Sequence, residues 1–212
     1  ELLAQNEQLR QRVDELTIEN TRLQQDRYEL TNLRELYSLD SQYDEYEKTG
    51  ARIIARDSGN WFYSFVINKG AGDGIAVDMN VMAGSGLVGR VVDVGPNWAK
   101  VKSIIADDSN VSAMVLSSSD RMIVSGNLKL YASGVIEFEQ LVDSEDVVVE
   151  GDKVVTSDIS DKYLPGILIG YINTIAPDAN NLTKSGYITP AVDFEHLEEV
   201  LVIRQLKQTV PE

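Results

Sequence analysis

The sequence of 212 residues has no cysteine, a single histidine (His196), and no apolar run near the roughly 18 residues that a membrane-spanning helix needs. Without cysteine there is no disulfide framework, thiolate metal site or cysteine nucleophile, and one histidine excludes a histidine-rich zinc site. The sequence therefore predicts no metal and no cofactor. Basic residues are also scarce, since 19 Lys and Arg stand against 34 Asp and Glu. A net charge of −15 argues against nucleic-acid binding, which needs clustered Lys and Arg.

The first 47 residues contain neither Gly nor Pro and are rich in strong helix formers. An apolar residue recurs at every seventh position, and a strict repeat over five heptads indicates a coiled coil. Asparagines at the other inward position would fix the register at some cost in stability. We expect residues 1–49 to form a helix that dimerises through one row of side chains, with a single helix packed on its own domain as the alternative. This row, the seam, consists of Leu2, Asn6, Leu9, Val13, Leu16, Asn20, Leu23, Leu30 and Tyr37.

After Gly50 the apolar period changes to two. A dozen short β-rich runs, among them 61–67, 87–94 and 147–149, are separated by Gly, Asn, Asp and Ser. The predicted fold is mainly β with an N-terminal α-helix: a long coiled-coil helix followed by two small β-barrels of about six strands each. A weak internal repeat between 87–91 and 168–172 places Gly89 and Gly170 within strands, where glycine marks a bend or a close backbone approach.

Strand counting suggests how the two barrels divide the chain. Residues 68–145 hold about six candidate strands, 146–205 hold four or five, and the pair in 51–67 would complete the second set. We therefore expect a discontinuous first barrel from 50–67 and 146–206, an inserted second barrel from 68–145, and a tail at 207–212.

No catalytic group emerges from the motifs. Gly84-Ser85-Gly86 is similar to the nucleophile segment of trypsin-like proteases, but those need a histidine base held by an acid. His196 follows the serine, against the order in that family, and lies in an acidic turn. We therefore interpret it as a solvated loop residue and predict no catalytic residue.

Two further segments have structural interpretations. The glycine-rich 70–74 is followed by no helix that could hold a pyrophosphate, so we interpret it as a hairpin turn. Seven acidic residues lie within 137–152 without a matching calcium-loop spacing, and we expect a solvated acidic face there.

A set of motifs in fixed order resembles the family of the rod shape-determining protein MreC over essentially the whole chain. The residues that carry the resemblance are Asn60, Trp61, Asn68, Gly70, Gly74, Gly86, Gly89, Gly126, Gly151, Asp152, Pro165, Gly166 and Gly170. The heptad helix in front of them also fits this family. Asp158 departs from the pattern, because it stands where the family usually has glycine, although Asp tolerates positive φ better than most residues.

The resemblance implies a non-enzymatic scaffold of the bacterial cell-elongation machinery. It implies a homodimer, with further self-assembly left open, on the extracytoplasmic face of the cytoplasmic membrane. An N-terminal transmembrane segment absent from this sequence would anchor it. The implied partners are a class B penicillin-binding protein, the membrane protein MreD and the MreB-linked elongation complex, and the implied role is to recruit and activate peptidoglycan synthases. The scaffold would present β edges and apolar loops to these partners. The alternative is a periplasmic adaptor of an efflux or secretion system.

Overall fold

A computed structural model describes residues 2–56, 63–84, 86–143, 145–179 and 182–208, and the side chains within these ranges except those of 2–5 and 41. The chain divides into two compact units, residues 1–38 and 39–212. The first unit is helical. The second contains the end of that helix and all the strands.

Helix α1 spans Leu2–Gln42, about 60 Å at 1.5 Å per residue. It ends earlier than the predicted 1–49, and Gly50 lies inside the first strand rather than at the helix end. Lys48 explains the stop, because its ammonium group donates to the carbonyl oxygens of Tyr43 and Tyr46 and pairs with Asp40 at 3.1 Å. Lys48 also begins the pairing with the last strand, which an uninterrupted helix would prevent.

The first barrel is closed by six antiparallel strands. They are β1 Lys48–Arg56, β2 Ser64–Ile67, β3 Asn80–Ala83, β4 Gly86–Val94, β5 Ala99–Ser103 and β12 Glu199–Ile203. Their order around the barrel is β1-β12-β3-β4-β5-β2. In strands with one face exposed to solvent, side chains alternate between the barrel interior and the solvent. Val81, Val91 and Val101 are fully buried in the interior.

The second barrel is closed by the six remaining strands. They are β6 Asn110–Val115, β7 Arg121–Ser125, β8 Ile136–Leu141, β9 Lys153–Thr156, β10 Leu168–Pro177 and β11 Lys184–Pro190, with a short helix α2, Leu128–Tyr131, between β7 and β8. Their order is β10-β11-β8-β7-β6-β9, and Ile136, Phe138 and Ile188 fill the interior. The predicted fold class is confirmed, with two barrels of six strands after a long helix.

The strand pairing divides the chain differently from the predicted boundaries. Segment 80–103 belongs to the first barrel, together with β1, β2 and β12, whereas 110–190 forms the second barrel without interruption. The second barrel is thus inserted into the first, but between β5 and β12. Counting strands could not find this division, because a count only balances the number of strands in each barrel. The barrel to which a strand belongs depends on its pairing, and here β3 pairs with β12 and β4 pairs with β5.

Two strand predictions were wrong. Strand β3 was missed, because Asn80 and Met82 interrupt a short run, yet all four of its residues are buried. The predicted strand at 147–149 is a loop instead, since the N–H groups of Val147 and Val148 donate to the carboxylate of Asp143 rather than to a neighbouring strand. The expectation that the barrels present β edges to partners is also wrong, because each of the two sheets closes on itself and, among the described strands, leaves no edge strand unpaired along the barrel.

Candidate interaction surfaces

The seam residues lie exposed along α1. Four seam leucines, Leu9, Leu16, Leu23 and Leu30, are between 48% and 66% exposed, and the backbone of Leu2 lies in the same helix. Asn6, Val13, Asn20 and Tyr37 are exposed as well. Three apolar residues outside the row, Ile18, Tyr28 and Leu33, are also exposed. Among the described side chains, the helix therefore carries a row of exposed apolar residues.

The barrels meet where β4 approaches the start of β10. A Cβ on Gly86 would lie 2.3 Å from the carbonyl oxygen of Leu168, so only glycine fits this crossing. The amide of Asn80, 1% exposed, donates to the carbonyl of Lys162 at 2.9 Å and accepts from the N–H of Leu164 at 2.8 Å. One side chain of the first barrel thus bonds two backbone groups of the segment that leads into β10, of which the N–H of Leu164 is buried.

Residues just after α1 hold the same segment. The hydroxyl of Tyr46 donates to the carbonyl oxygen of Pro165 at 3.0 Å, and the hydroxyl of Tyr43 accepts from the N–H of Leu168 at 3.1 Å. Leu39, in the last turn of α1, is 1% exposed. The connection between α1 and β1 is therefore tied to the second barrel, although β1 itself belongs to the first. We call these contacts between the two barrels the joint. Of the motif residues, Gly86 and Pro165 lie in it.

The remaining motif residues shape turns and strand crossings within each barrel. Gly89 and Gly170 both sit where a Cβ would overlap a carbonyl oxygen of the neighbouring strand, at 1.9 and 2.2 Å, which confirms the expected close approach. Asn68 accepts the N–H of Arg52 at 2.8 Å. Three motif glycines have a positive φ, namely Gly74, Gly151 and Gly166. Backbone atoms lie too close to Gly70 and Gly126 for a side chain to fit. Asp152 accepts the N–H of Val149. Asn60 and Trp61 lie outside the described residues.

A polar cleft of about 270 Å³ lies between the barrels. Two of the three cations that line it have carboxylate partners, because Arg90 pairs with Asp78 and Lys102 with Asp108, each at 2.5 Å, and the third, Lys162, lies next to Asp161 in the lining. Tyr163 is buried there, and burial raises its pKa. These groups neutralise one another, so the cleft carries no concentrated positive charge for an anionic ligand.

Of the two residues considered for catalysis, the structure describes only His196. Ser85 lies outside the described residues. His196 is exposed, as expected of a loop residue, and its ring nitrogen is 2.7 Å from the carboxylate of Asp193, which raises the histidine pKa. Among the described residues, no group of three or more His, Cys, Asp or Glu side chains is placed to hold a metal ion.

The glycine-rich segment 70–74 is not a hairpin turn, because its flanking strands β2 and β3 do not pair. It forms a short 3₁₀ helix at Ala71–Asp73, and the carboxylate of Asp73 accepts the N–H of Gly70 at 3.1 Å. A carboxylate of the chain itself therefore occupies the backbone donor that a phosphate would need.

The acidic stretch 137–152 is only partly a solvated face. Asp143 has a fully buried carboxylate, which accepts the ammonium of Lys184 at 2.7 Å and the N–H groups of Val147 and Val148. Burial alone would raise the pKa of Asp143, but these hydrogen bonds outweigh it and lower the pKa. No local pattern in the sequence indicates this pair, since Lys184 lies 41 residues away.

Comparison with known proteins identifies the family. The family model described as rod shape-determining protein MreC, barrel core, matches residues 53–204. The chain belongs to the MreC family. The cell shape-determining protein MreC of Listeria monocytogenes is 30% identical over 206 residues, which cover 95% of this chain and 68% of that protein. The solved structure of MreC from Listeria matches 98% of this chain and all of that one, with 29% identity and a TM-score of 0.70.

A third match concerns an MreC protein in a complex. The structure of a complex between penicillin-binding protein PBP2 and MreC from Helicobacter pylori matches 75% of this chain at 14% identity, with a TM-score of 0.56. At that identity the likeness shows a shared fold. These matches place the chain among structural, shape-determining proteins, and none of the three is a periplasmic adaptor. Within the described part of the chain, no helix is both long and apolar enough to cross a membrane.

Proposed function

We propose that this chain is a non-enzymatic scaffold that dimerises through α1 and binds a class B penicillin-binding protein through its barrels. The observation that carries the dimer is the exposed apolar row on a helix of 41 residues, which gains most by packing against an identical row. The observation that supports the partner is the complex of a relative with PBP2. Such a scaffold recruits and activates peptidoglycan synthesis without a catalytic group of its own.

The same family membership supports a location and further partners. The scaffold works at the extracytoplasmic face of the bacterial cytoplasmic membrane, where an N-terminal transmembrane segment anchors it. There it contacts MreD and, through the membrane, the MreB-linked elongation complex. Assembly of dimers into larger structures would then be controlled by the barrels, since the helix row is used within the dimer.

Biolayer interferometry with the purified extracytoplasmic region of a class B penicillin-binding protein from the same organism tests the partner. Saturable binding that competes with unlabelled chain is the expected result. The matched control is the extracytoplasmic region of a class A synthase from the same organism, which should bind at least tenfold more weakly. Absence of binding up to high micromolar concentrations, with the chain folded by circular dichroism, would contradict the assignment of this partner.

A further inference from the structure

Five exposed aliphatic side chains gather at one end of the second barrel. Because all of its strand pairs are antiparallel, the connections 116–120, 142–152 and 178–183 meet at the same end. The links to the first barrel, 104–109 and 191–198, leave from the opposite end. The five side chains, which we call the distal apolar tip, are Leu116, Val142, Val147, Val149 and Leu182, with exposed fractions from 50% to 79%.

The loop that presents two of these valines is held in one conformation. Val148 is 5% exposed and lies inward, while Val147 and Val149 on either side are 51% and 57% exposed. The N–H groups of all three residues donate to buried or turn-forming carboxylates, two to Asp143 and one to Asp152. Lys184 of the neighbouring hairpin fixes Asp143 in turn. An ordered loop that keeps valines in water loses little entropy when a partner covers them.

Charge selects the occupant of this surface. Residues 104–198 contain sixteen acidic and five basic residues, whereas the first-barrel segments 48–103 and 199–206 contain five acidic and eight basic. Beside the tip, Glu145, Asp146 and Glu150 are exposed. A second copy of the same tip would bring like charges face to face, and an anionic lipid surface would be repelled. The fitting partner is a protein surface with an apolar centre and a rim of Lys and Arg.

We propose that the distal apolar tip is the surface on which the cell-wall synthase docks, through an apolar patch with a basic rim. The inference rests on the proposed function, because it assigns one surface of the scaffold to that partner. Few side chains carry most of the energy of such a contact, and apolar residues at its centre are the sensitive ones. Val147 and Val149 are the central pair here, and the acidic residues around them govern the rate of encounter.

The test compares matched variants in the interferometry assay with the penicillin-binding protein. Val147→Ser with Val149→Ser should weaken binding roughly tenfold or more, whereas Ile54→Ser, at an equally exposed position of the first barrel, should not. Glu150→Lys should slow association and weaken the salt dependence of the association rate. Asp93→Lys makes the same change of charge in the first barrel and should leave the association rate unchanged. Unchanged melting temperatures show that each variant is folded.

The outcomes separate this inference from the function beneath it. If the parent chain binds and the valine pair binds equally well, the tip assignment is overturned while the proposed function stands. If the parent chain does not bind at all, both are overturned. Sedimentation velocity of the same variants tests whether a second copy of the chain occupies the tip instead. If the double valine variant abolishes a self-association that the parent chain shows, the tip is a contact between copies and the synthase assignment is wrong.

Discussion

Asp143 lies in a stretch of sixteen residues that contains seven carboxylates, and sequence alone cannot single it out. What distinguishes it is burial together with three donors, from Lys184, Val147 and Val148. A buried charge is tolerated only when it is paired and hydrogen-bonded, and this one is. Its neighbour Glu145 remains exposed. At the scale of residues, this one carboxylate therefore holds the backbone of Val147 and Val148 in place.

Asp143→Asn should destabilise the second barrel by about 1–3 kcal/mol at neutral pH, because the partly buried ammonium of Lys184 keeps only the exposed Asp146 as a charged partner and the loop loses one buried acceptor. The pKa of Asp143 is lowered by folding, so its contribution is complete above the ordinary carboxyl pKa of about 4 and is lost as the pH falls further. Chemical denaturation at neutral pH and in acid should show the two proteins converging in acid.

Glu145→Gln is the matched control for this change, since it neutralises an exposed carboxylate two residues away. It should leave the unfolding midpoint almost unchanged at either pH. A constant difference between Asp143→Asn and the parent from neutral to acidic pH would show that the carboxylate charge does not hold the loop.

At the scale of elements, sequence patterns identified those structures that depend on local periodicity. The heptads of α1 and the alternation in β6 and β7 are visible in sequence, because each element exposes one face and repeats it. Strand β3 and the loop at 147–149 were missed for the opposite reason: their conformation depends on partners far along the chain, β12 for the strand and Lys184 for the loop. The close backbone approach at Gly89 and Gly170 was predicted from the sequence, whereas the contact of Gly86 with Leu168 in the other barrel needed the fold.

The seam of α1 supports a prediction at this scale. Leu16→Asp with Leu23→Asp should dissolve the dimer, because two charges per chain would have to be buried in an apolar interface. Sedimentation velocity should show a monomer, and the β-rich circular dichroism signal should persist. Glu15→Lys with Arg22→Glu, which exchanges charges one position before each leucine, is the control and should leave the dimer intact. A dimer that survives both leucine changes would contradict the coiled-coil assignment.

At the scale of the whole molecule, the joint between the barrels determines whether they act as one body. It consists of the Gly86 crossing, the amide of Asn80, and the two tyrosine hydroxyls that follow α1. All of them converge on 162–168, the segment that leads into β10. If the proposed partner docks on the distal apolar tip, its position relative to the first barrel is fixed only when this joint is rigid.

Asn80→Ala should uncouple the barrels, because the buried N–H of Leu164 and the carbonyl of Lys162 lose their partner across the joint. The cost is about 1–3 kcal/mol for a buried group left unsatisfied. Calorimetry should show one cooperative transition in the parent and two in the variant, and amide exchange should accelerate in 162–168.

Asn68→Ala is the control, since its amide oxygen accepts a backbone N–H within the first barrel alone. It should lower the melting temperature without splitting the transition. If the two variants unfold alike, Asn80 contributes to one barrel only, and the rigidity of the joint rests on the Gly86 crossing and the tyrosines.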